Sequence, residues 1–230
     1  IRALPPGHTL TIEDGRLEVA EYWDVAYSVA EVRSENECVE ELRGRLREAV
    51  CLRLISDVPL GAFLSGGIDS TAIVALMSEL SDRPVQTFAI GFAGEPSFNE
   101  LDHARRAAER YGTDHHEFVV EPDAVELLPK LVWHHDQPFA DSSAIPTYLV
   151  SQLTRQHVTV ALSGDGGDEL FAGYERFAAA RLSERWAWVS SGVWEAAARL
   201  LRALPESTAY RGVVRRARRF VEAAGLPLLD

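Results

Sequence analysis

Two cysteines in 230 residues are too few to staple a fold. Cys38 and Cys51 fall in a stretch that reads as helical, so there is no disulfide framework and the pattern suits a reducing compartment, the cytoplasm. Positive charge is also short: 23 Lys and Arg face 35 Asp and Glu, for a net charge of −12. A surface of that sign repels a phosphate backbone, which argues against a general nucleic-acid binder. No apolar run is long enough to cross a bilayer, and no signal-peptide layout is present, so no membrane partner is expected. Internal repeats and low-complexity segments are absent too. The chain opens on Ile1 rather than methionine and is expected to be a piece of a longer protein.

Hydrophobic residues make up 47% of the chain, enough for the core of one sizeable α/β domain with appendages. Residues 1–24 read as a short hairpin, with Glu13-Asp14-Gly15 at its turn. Apolar residues at helical spacing (Val39, Leu42, Leu46, Val50, Leu54) predict a helix over 36–55 behind a cap at Ser34 or Asn36. Beyond it, short apolar strands alternate with helical segments. Strands are expected at Leu60–Leu64, Val85–Phe92, His116–Val120 and Val158–Leu162. Helices are expected over 70–80, 99–111, 122–135 and 143–155, with another starting near Asp168. That alternation predicts a doubly wound parallel sheet with ligands beyond the carboxyl ends of its strands. Two glycine-rich turns fall at such ends.

The first is Leu64-Ser65-Gly66-Gly67-Ile68-Asp69-Ser70. Glycine admits positive φ and lets an anion approach the main chain, and the following helix offers free N–H groups. Ser65 and Ser70 add hydroxyl donors. The turn lacks the lysine of a Walker A loop. Asp69 should repel an anion there unless a cation lies between them, and Mg2+ favours one or two carboxylates plus phosphate oxygens. The alternative for Ser65 or Asp69 is a plain helix cap. The second turn, Ser163-Gly164-Asp165-Gly166-Gly167-Asp168-Glu169-Leu170-Phe171-Ala172-Gly173-Tyr174, crowds three carboxylates into five residues. A cation shared among them is one reading; a solvated acidic cap on the next helix is the other.

The first string resembles the PP-loop of the ATP-pyrophosphatase superfamily, which cleaves ATP between the α and β phosphates. The second resembles the acidic loop of asparagine-synthetase-type enzymes. Asp57-Val58-Pro59-Leu60-Gly61, Thr87-Phe88-Ala89-Ile90-Gly91-Phe92, Gly112-Thr113-Asp114-His115-His116-Glu117 and Asp141-Ser142-Ser143-Ala144-Ile145-Pro146-Thr147-Tyr148 follow the same family's order. The resemblance spans residues 1–180 and implies the PP-loop, Rossmann-like fold of the adenine-nucleotide α-hydrolases, with a helical C-terminal extension. It implies that Asp69 and Asp168 hold Mg2+, and that Ser65, Gly66, Gly67 and Ser70 cradle pyrophosphate. Main-chain groups near Leu64, Ile90 and Gly164 would hold adenosine. Asp165 would face the acyl-adenylate and incoming ammonia, where an acid guides or accepts a proton. The implied ligands are ATP, aspartate or another carboxylic acid, and ammonia drawn from glutamine.

The chain departs from the pattern in places. Asp165 stands where some asparagine synthetases carry Glu. Phe139-Ala140-Asp141-Ser142-Ser143 stands where some relatives place threonines and an arginine for aspartate, which leaves the acceptor open. The organisation implied is a hairpin at 1–24 resembling the tail of a missing glutaminase domain, a synthetase domain at 25–180, and a truncated helical extension at 181–230. A phosphate-contacting lysine of the family has no counterpart, since Lys130 is the single lysine here and its surroundings do not match. A fragment so cut is expected to form little amide alone, and a homodimer is compatible with the reading. A sister amidotransferase, a β-lactam synthetase and a noncatalytic nucleotide-binding module remain alternatives; a tRNA thiolation enzyme would need catalytic cysteines and a basic surface.

Other candidates have plainer readings. Neighbouring His115 and His116 on a strand point to opposite faces and should not share a metal. His134 and His135 suit a helix end near the substrate pocket. The arginines between Arg211 and Arg219 suit a solvated helix face, and Trp186, Trp188 and Trp194 suit packing of the helical region.

Overall fold

The computed structural model describes residues 3–26, 33–93, 99–121, 124–136, 141–186, 188–203 and 213–224. Two compact units, residues 1–48 and 49–230, divide the chain. In the first, β1 (His8–Glu13) and β2 (Arg16–Glu21) pair antiparallel with Leu10 opposite Val19 and Ile12 opposite Leu17. The turn forms at Asp14 and Gly15, both at positive φ (49° and 76°), the two-residue geometry that matches strand twist. Helix α1 (Glu35–Arg53) follows directly on Ser34. The Ser34 hydroxyl and main-chain N–H both donate to Glu37 (2.7 and 2.9 Å), and the Glu37 N–H donates back at 3.3 Å. This reciprocal box singles out Ser34, rather than Asn36, as the cap.

The second unit carries β3 (Leu60–Phe63), α2 (Ile68–Leu80), β4 (Gln86–Phe92), α3 (Leu101–Tyr111), β5 (Asp114–Val120), α4 (Ala124–His135), α5 (Ala144–Thr154) and β6 (Val160–Leu162). The four strands form one parallel sheet in the order β5-β4-β3-β6. The chain moves outward from β3 through β4 to β5, then returns to place β6 on the other side of β3. That reversal puts the topological switch point between β3 and β6, where a crevice opens beyond the strand ends.

Both faces of the sheet are covered, which β4 records residue by residue. Phe88 and Ala89 are neighbours pointing to opposite faces, yet they are 0% and 5% exposed. Ala89 belongs to a cluster with Ala62, Leu64, Val74, Met77, Leu101 and Ala104. On the opposite face the Phe88 ring stacks on His116 at 5.2 Å and tilts against His157 at 5.5 Å.

After β6 the chain forms α6 (Gly167–Leu170), α7 (Glu175–Arg185), α8 (Ser191–Arg202) and α9 (Val213–Ala224). The helix expected near Asp168 is only four residues long, because Ala172 adopts a positive φ of 55° and turns the chain. Trp186 and Trp194 pack with Phe220 at ring distances of 5.9 Å, as the sequence suggests. Trp188 does not join them and is 82% exposed. The arginine-rich segment is more than a solvated face. Arg216 pairs with Glu175 at 2.8 Å, and Arg218 and Arg202 both reach Glu222, at 3.7 and 2.9 Å. Arg211 lies outside the described residues.

Candidate active site

The first glycine turn is built directly on β3. Leu64 extends the strand's pairing, its N–H donating to the Phe88 carbonyl at 2.8 Å, and its side chain is 1% exposed. Ser65 and Ser70 then close the turn, with their Oγ atoms 3.0 Å apart. The Gly67 N–H donates to Ser65 Oγ at 3.2 Å, and the Ser70 hydroxyl donates to the Gly67 carbonyl at 3.3 Å. Gly66 sits at φ +79°, and a Cβ there would stand 2.4 Å from the His103 carbonyl carbon, so this position requires glycine.

The plain-cap reading holds in part for Ser65, whose Oγ takes the Gly67 N–H, and not for Asp69. Gly67 is the residue before α2, and no side chain caps it. Asp69 instead lies inside the first turn of α2. Past the Gly67 N–H, the N-cap residue itself provides no side-chain acceptor for the first amides of this 13-residue helix, an arrangement that suits a bound anion.

The second turn packs against the first because glycines let it. A Cβ on Gly164 would stand 2.6 Å from the Ser70 nitrogen, and one on Gly167 would stand 2.4 Å from the Asp69 carboxyl carbon. The Asp168 carboxylate in turn lies against Gly173. Within this loop the Ser163 hydroxyl donates to Asp165 Oδ2 at 3.0 Å. The Tyr174 hydroxyl donates to Glu169, a bond that holds the Glu169 carboxyl below its usual range and pushes the phenol up. The Arg176 guanidinium sits 4.1 Å over the Tyr174 ring.

One cleft of about 540 Å³ collects these groups. Ser65, Gly67, Asp69 and Ser70 line it from the first loop, and Gly164, Asp165 and Asp168 from the second. A smaller apolar pocket of about 250 Å³ adjoins it, sharing Phe63, Ser65 and Val150 and lined also by Leu64, Phe88, Ala89 and Ile90. Of the residues singled out in sequence, Gly66 lines neither cavity but shapes the first loop against α3, while Leu64 and Ile90 fall in the apolar pocket. The others meet in the cleft. Among the described residues no three His, Cys, Asp or Glu side chains form a closed metal cage. Asp69 and Asp168, which both line the cleft, are the residues that could offer carboxylates to a Mg2+ whose further ligands come from phosphate oxygens.

Three lining residues come from the start of α5: Asp141, Ser143 and Thr147. The sequence set Asp141 and Ser143 where some relatives hold aspartate, and offered Thr147 as part of a motif without a role. Phe139 and Ala140, which precede them, lie outside the described residues. Glu169 and Tyr174 also line the cleft, and only their membership of the second loop hinted at it.

The histidines are placed apart from this chemistry. His115 Nδ1 is 2.9 Å from the Thr87 hydroxyl, which also meets Thr113 at 2.8 Å. Burial lowers the His115 pKa. His116 lies on the other face, 4.4 Å from the His157 ring, so the two adjacent imidazoles point to opposite faces as strand geometry requires. The His134 ring lies 5.9 Å from that of Tyr148 in α5.

A family model described as asparagine synthase matches residues 41–226. The chain is 40% identical over 176 residues to asparagine synthetase [glutamine-hydrolyzing] 1 of Bacillus subtilis, covering 76% of this chain and 27% of that protein. It is 43% identical over 155 residues to putative asparagine synthetase [glutamine-hydrolyzing] 2 of Methanocaldococcus jannaschii, covering 66% and 30%. Among solved structures, glutamine-dependent NAD+ synthetase from Acinetobacter baumannii aligns with 69% of this chain and 32% of its own, at 23% identity and a TM-score of 0.40. The chain thus spans under a third of the length of these curated relatives.

Proposed function

We propose, on the premise that this chain belongs to the asparagine synthase family, that it is the adenylating part of an ATP-dependent amide-forming ligase. The observation that carries the reading is that two glycine loops after adjacent parallel strands bring the start of α2 and the carboxylates of Asp69, Asp165 and Asp168 to one cleft. ATP and a carboxylate give acyl-AMP and pyrophosphate; ammonia then attacks the acyl carbon, loses a proton and expels AMP. Aspartate, through its β-carboxylate, is the acceptor we favour, with ammonia supplied by glutamine hydrolysis and asparagine as product.

Placement in the cleft supports each role. Main-chain N–H groups at the start of α2, with Ser65 and Ser70, would receive the pyrophosphate as it leaves. The apolar pocket bounded by Leu64 and Ile90 suits the flat face of adenine, with Gly164 near the ribose. Asp69 and Asp168 would hold Mg2+, which when bound neutralises charge on the departing pyrophosphate. Asp165, oriented by the Ser163 hydroxyl, would take the proton that the attacking ammonia loses. Catalysis here rests on positioning and charge neutralisation.

This reading carries the rest of the organisation with it: a hairpin over 1–24 as the tail of a glutaminase domain, the synthetase domain over 25–180, and a helical extension over 181–230. Cys38 and Cys51 are free and exposed, which supports a reducing, cytoplasmic setting, and a homodimer fits the same reading. No helix among the described residues is long and apolar enough to cross a membrane. The decisive experiment is ATP–pyrophosphate exchange on the full-length protein, with and without aspartate, in wild type and Asp69→Ala. Aspartate-dependent exchange that the substitution abolishes supports the reading. Exchange with a different carboxylic acid assigns a sister ligase. No exchange with any acid, from folded protein that binds ATP, leaves a noncatalytic nucleotide-binding module.

A further inference from the structure

Helix α4 is apolar on two sides, and one of them meets the rest of the fold. Leu131 is 7% exposed, Leu127 one turn earlier is half-buried, and the His134 ring beside them approaches Tyr148 of α5. On the other side Val125, Leu128, Pro129, Val132 and Trp133 recur at the spacing of a single helix face, and all five are exposed. Val125 and Trp133, at the two ends of the row, are 82% and 78% exposed. At 3.6 residues per turn the five cover an arc of about 140°. Single exposed apolar residues are ordinary, but a contiguous row that ends in a tryptophan has the makings of a contact surface. Glu126 and Lys130, one turn apart, border this face on the same side. When two helices pack antiparallel about a two-fold axis, the same border of each meets the other in reversed order. With the axis beside Leu128, Glu126 of one copy faces Lys130 of the other and Lys130 faces Glu126, so one contact closes two ion pairs. The same axis lays Val125 against Val132 and Leu128 against its own symmetry mate. Charges that complement themselves in this way fit a second copy rather than an unrelated partner.

We propose that the exposed face of α4 is a self-association surface, on which a second copy of this chain docks its own α4 antiparallel across a two-fold axis. The inference stands apart from the adenylation reading, because no residue of α4 lines the main cleft. The apolar row supplies the attraction, with Trp133 as its anchor, and the Glu126–Lys130 pairs set direction and register. Five side chains from each copy make an interface at the small end of specific contacts, so dissociation in the micromolar range is expected.

The test is sedimentation velocity of the full-length protein across the micromolar range, in wild type, Trp133→Glu, Lys130→Glu and Glu126→Lys. All three positions are exposed, so each variant should melt within a few degrees of wild type. The expected result is a wild-type dimer that Trp133→Glu weakens about a hundredfold or more and that each charge reversal weakens about tenfold. Mixing Lys130→Glu with Glu126→Lys should restore association, because the mixed pair sets two glutamates against two lysines. Only a contact between copies can do this. A dimer that all three variants leave unchanged would overturn the proposal, as would variants that dissociate and do not recover on mixing. A monomeric wild type would also overturn it and give this face to another segment of the longer protein or to a different partner.

Discussion

Gly167→Ala separates the site from the fold. Gly167 is the first residue of α6 and its φ is not positive, so alanine meets no backbone strain there and is the better helix former. Its Cβ would nevertheless stand 2.4 Å from the Asp69 carboxyl carbon and 2.7 Å from both carboxylate oxygens, where ordinary contacts begin at 3.4 Å. The Asp69 carboxylate must therefore retreat by about 1 Å, and a displacement of that size at a reacting centre costs roughly a hundredfold in rate. Because the obstructing atoms are the far end of a rotatable side chain, the retreat leaves the main chain in place. The variant should melt within a few degrees of wild type, while acid-dependent ATP–pyrophosphate exchange in the full-length protein falls by about two orders of magnitude. Wild-type exchange would show that Asp69 is not the positioned ligand of the phosphates. A collapse in melting temperature would show that the contact with Asp69 is part of the fold's own packing.

Gly66→Ala should behave oppositely. It forces alanine to φ +79° and drives a Cβ onto the backbone of His103 and Ala104, neither of which can rotate away. A loss of about 2 kcal/mol or more in urea unfolding is expected, with left-handed strain alone contributing 1–2. His115 makes the protein less stable in acid. Burial is the main cause of its lowered pKa, with Arg105 and His116 acting the same way and Glu117 opposing them. The unfolded chain therefore binds a proton that the folded chain resists. Stability from this residue is complete above about pH 6.5 and declines as pH falls below that value toward the folded-state pKa. Denaturation midpoints measured across that range should flatten in His115→Gln, and an unaltered slope would refute the assignment.

Much of the fold was legible because it depends on local signals. Apolar runs bounded by glycine-rich turns marked β3, β4 and β6, and the observed strand limits differ from the expected ones by no more than two residues at either end. The Asp14-Gly15 turn could be read because two consecutive positive φ values demand such residues. The hydroxyls and glycines of the two loops were legible for the same reason: main chain bare enough for a phosphate needs glycine, and only a few side chains can line it.

What the sequence could not give was adjacency. Nothing in the spacing of residues 60–63 and 160–162 says that β6 pairs with β3 rather than extending the sheet beyond β5. That pairing brings Asp165 and Asp168 beside Asp69, nearly a hundred residues earlier in the chain. That the glycines at 164 and 167 yield space to the first loop shows only in the fold. Asp141 was read as standing where some relatives hold aspartate, but that it lines the cleft depends on where α5 packs. Trp188 was misjudged because a tryptophan's burial is decided by its neighbours in space, and it is 82% exposed among the described residues. Local propensity and turn chemistry, which act over a few residues, were settled by the sequence itself. Strand order and the shared cleft were settled by the tertiary structure, since they arise from contacts whose partners the chain brings together only on folding.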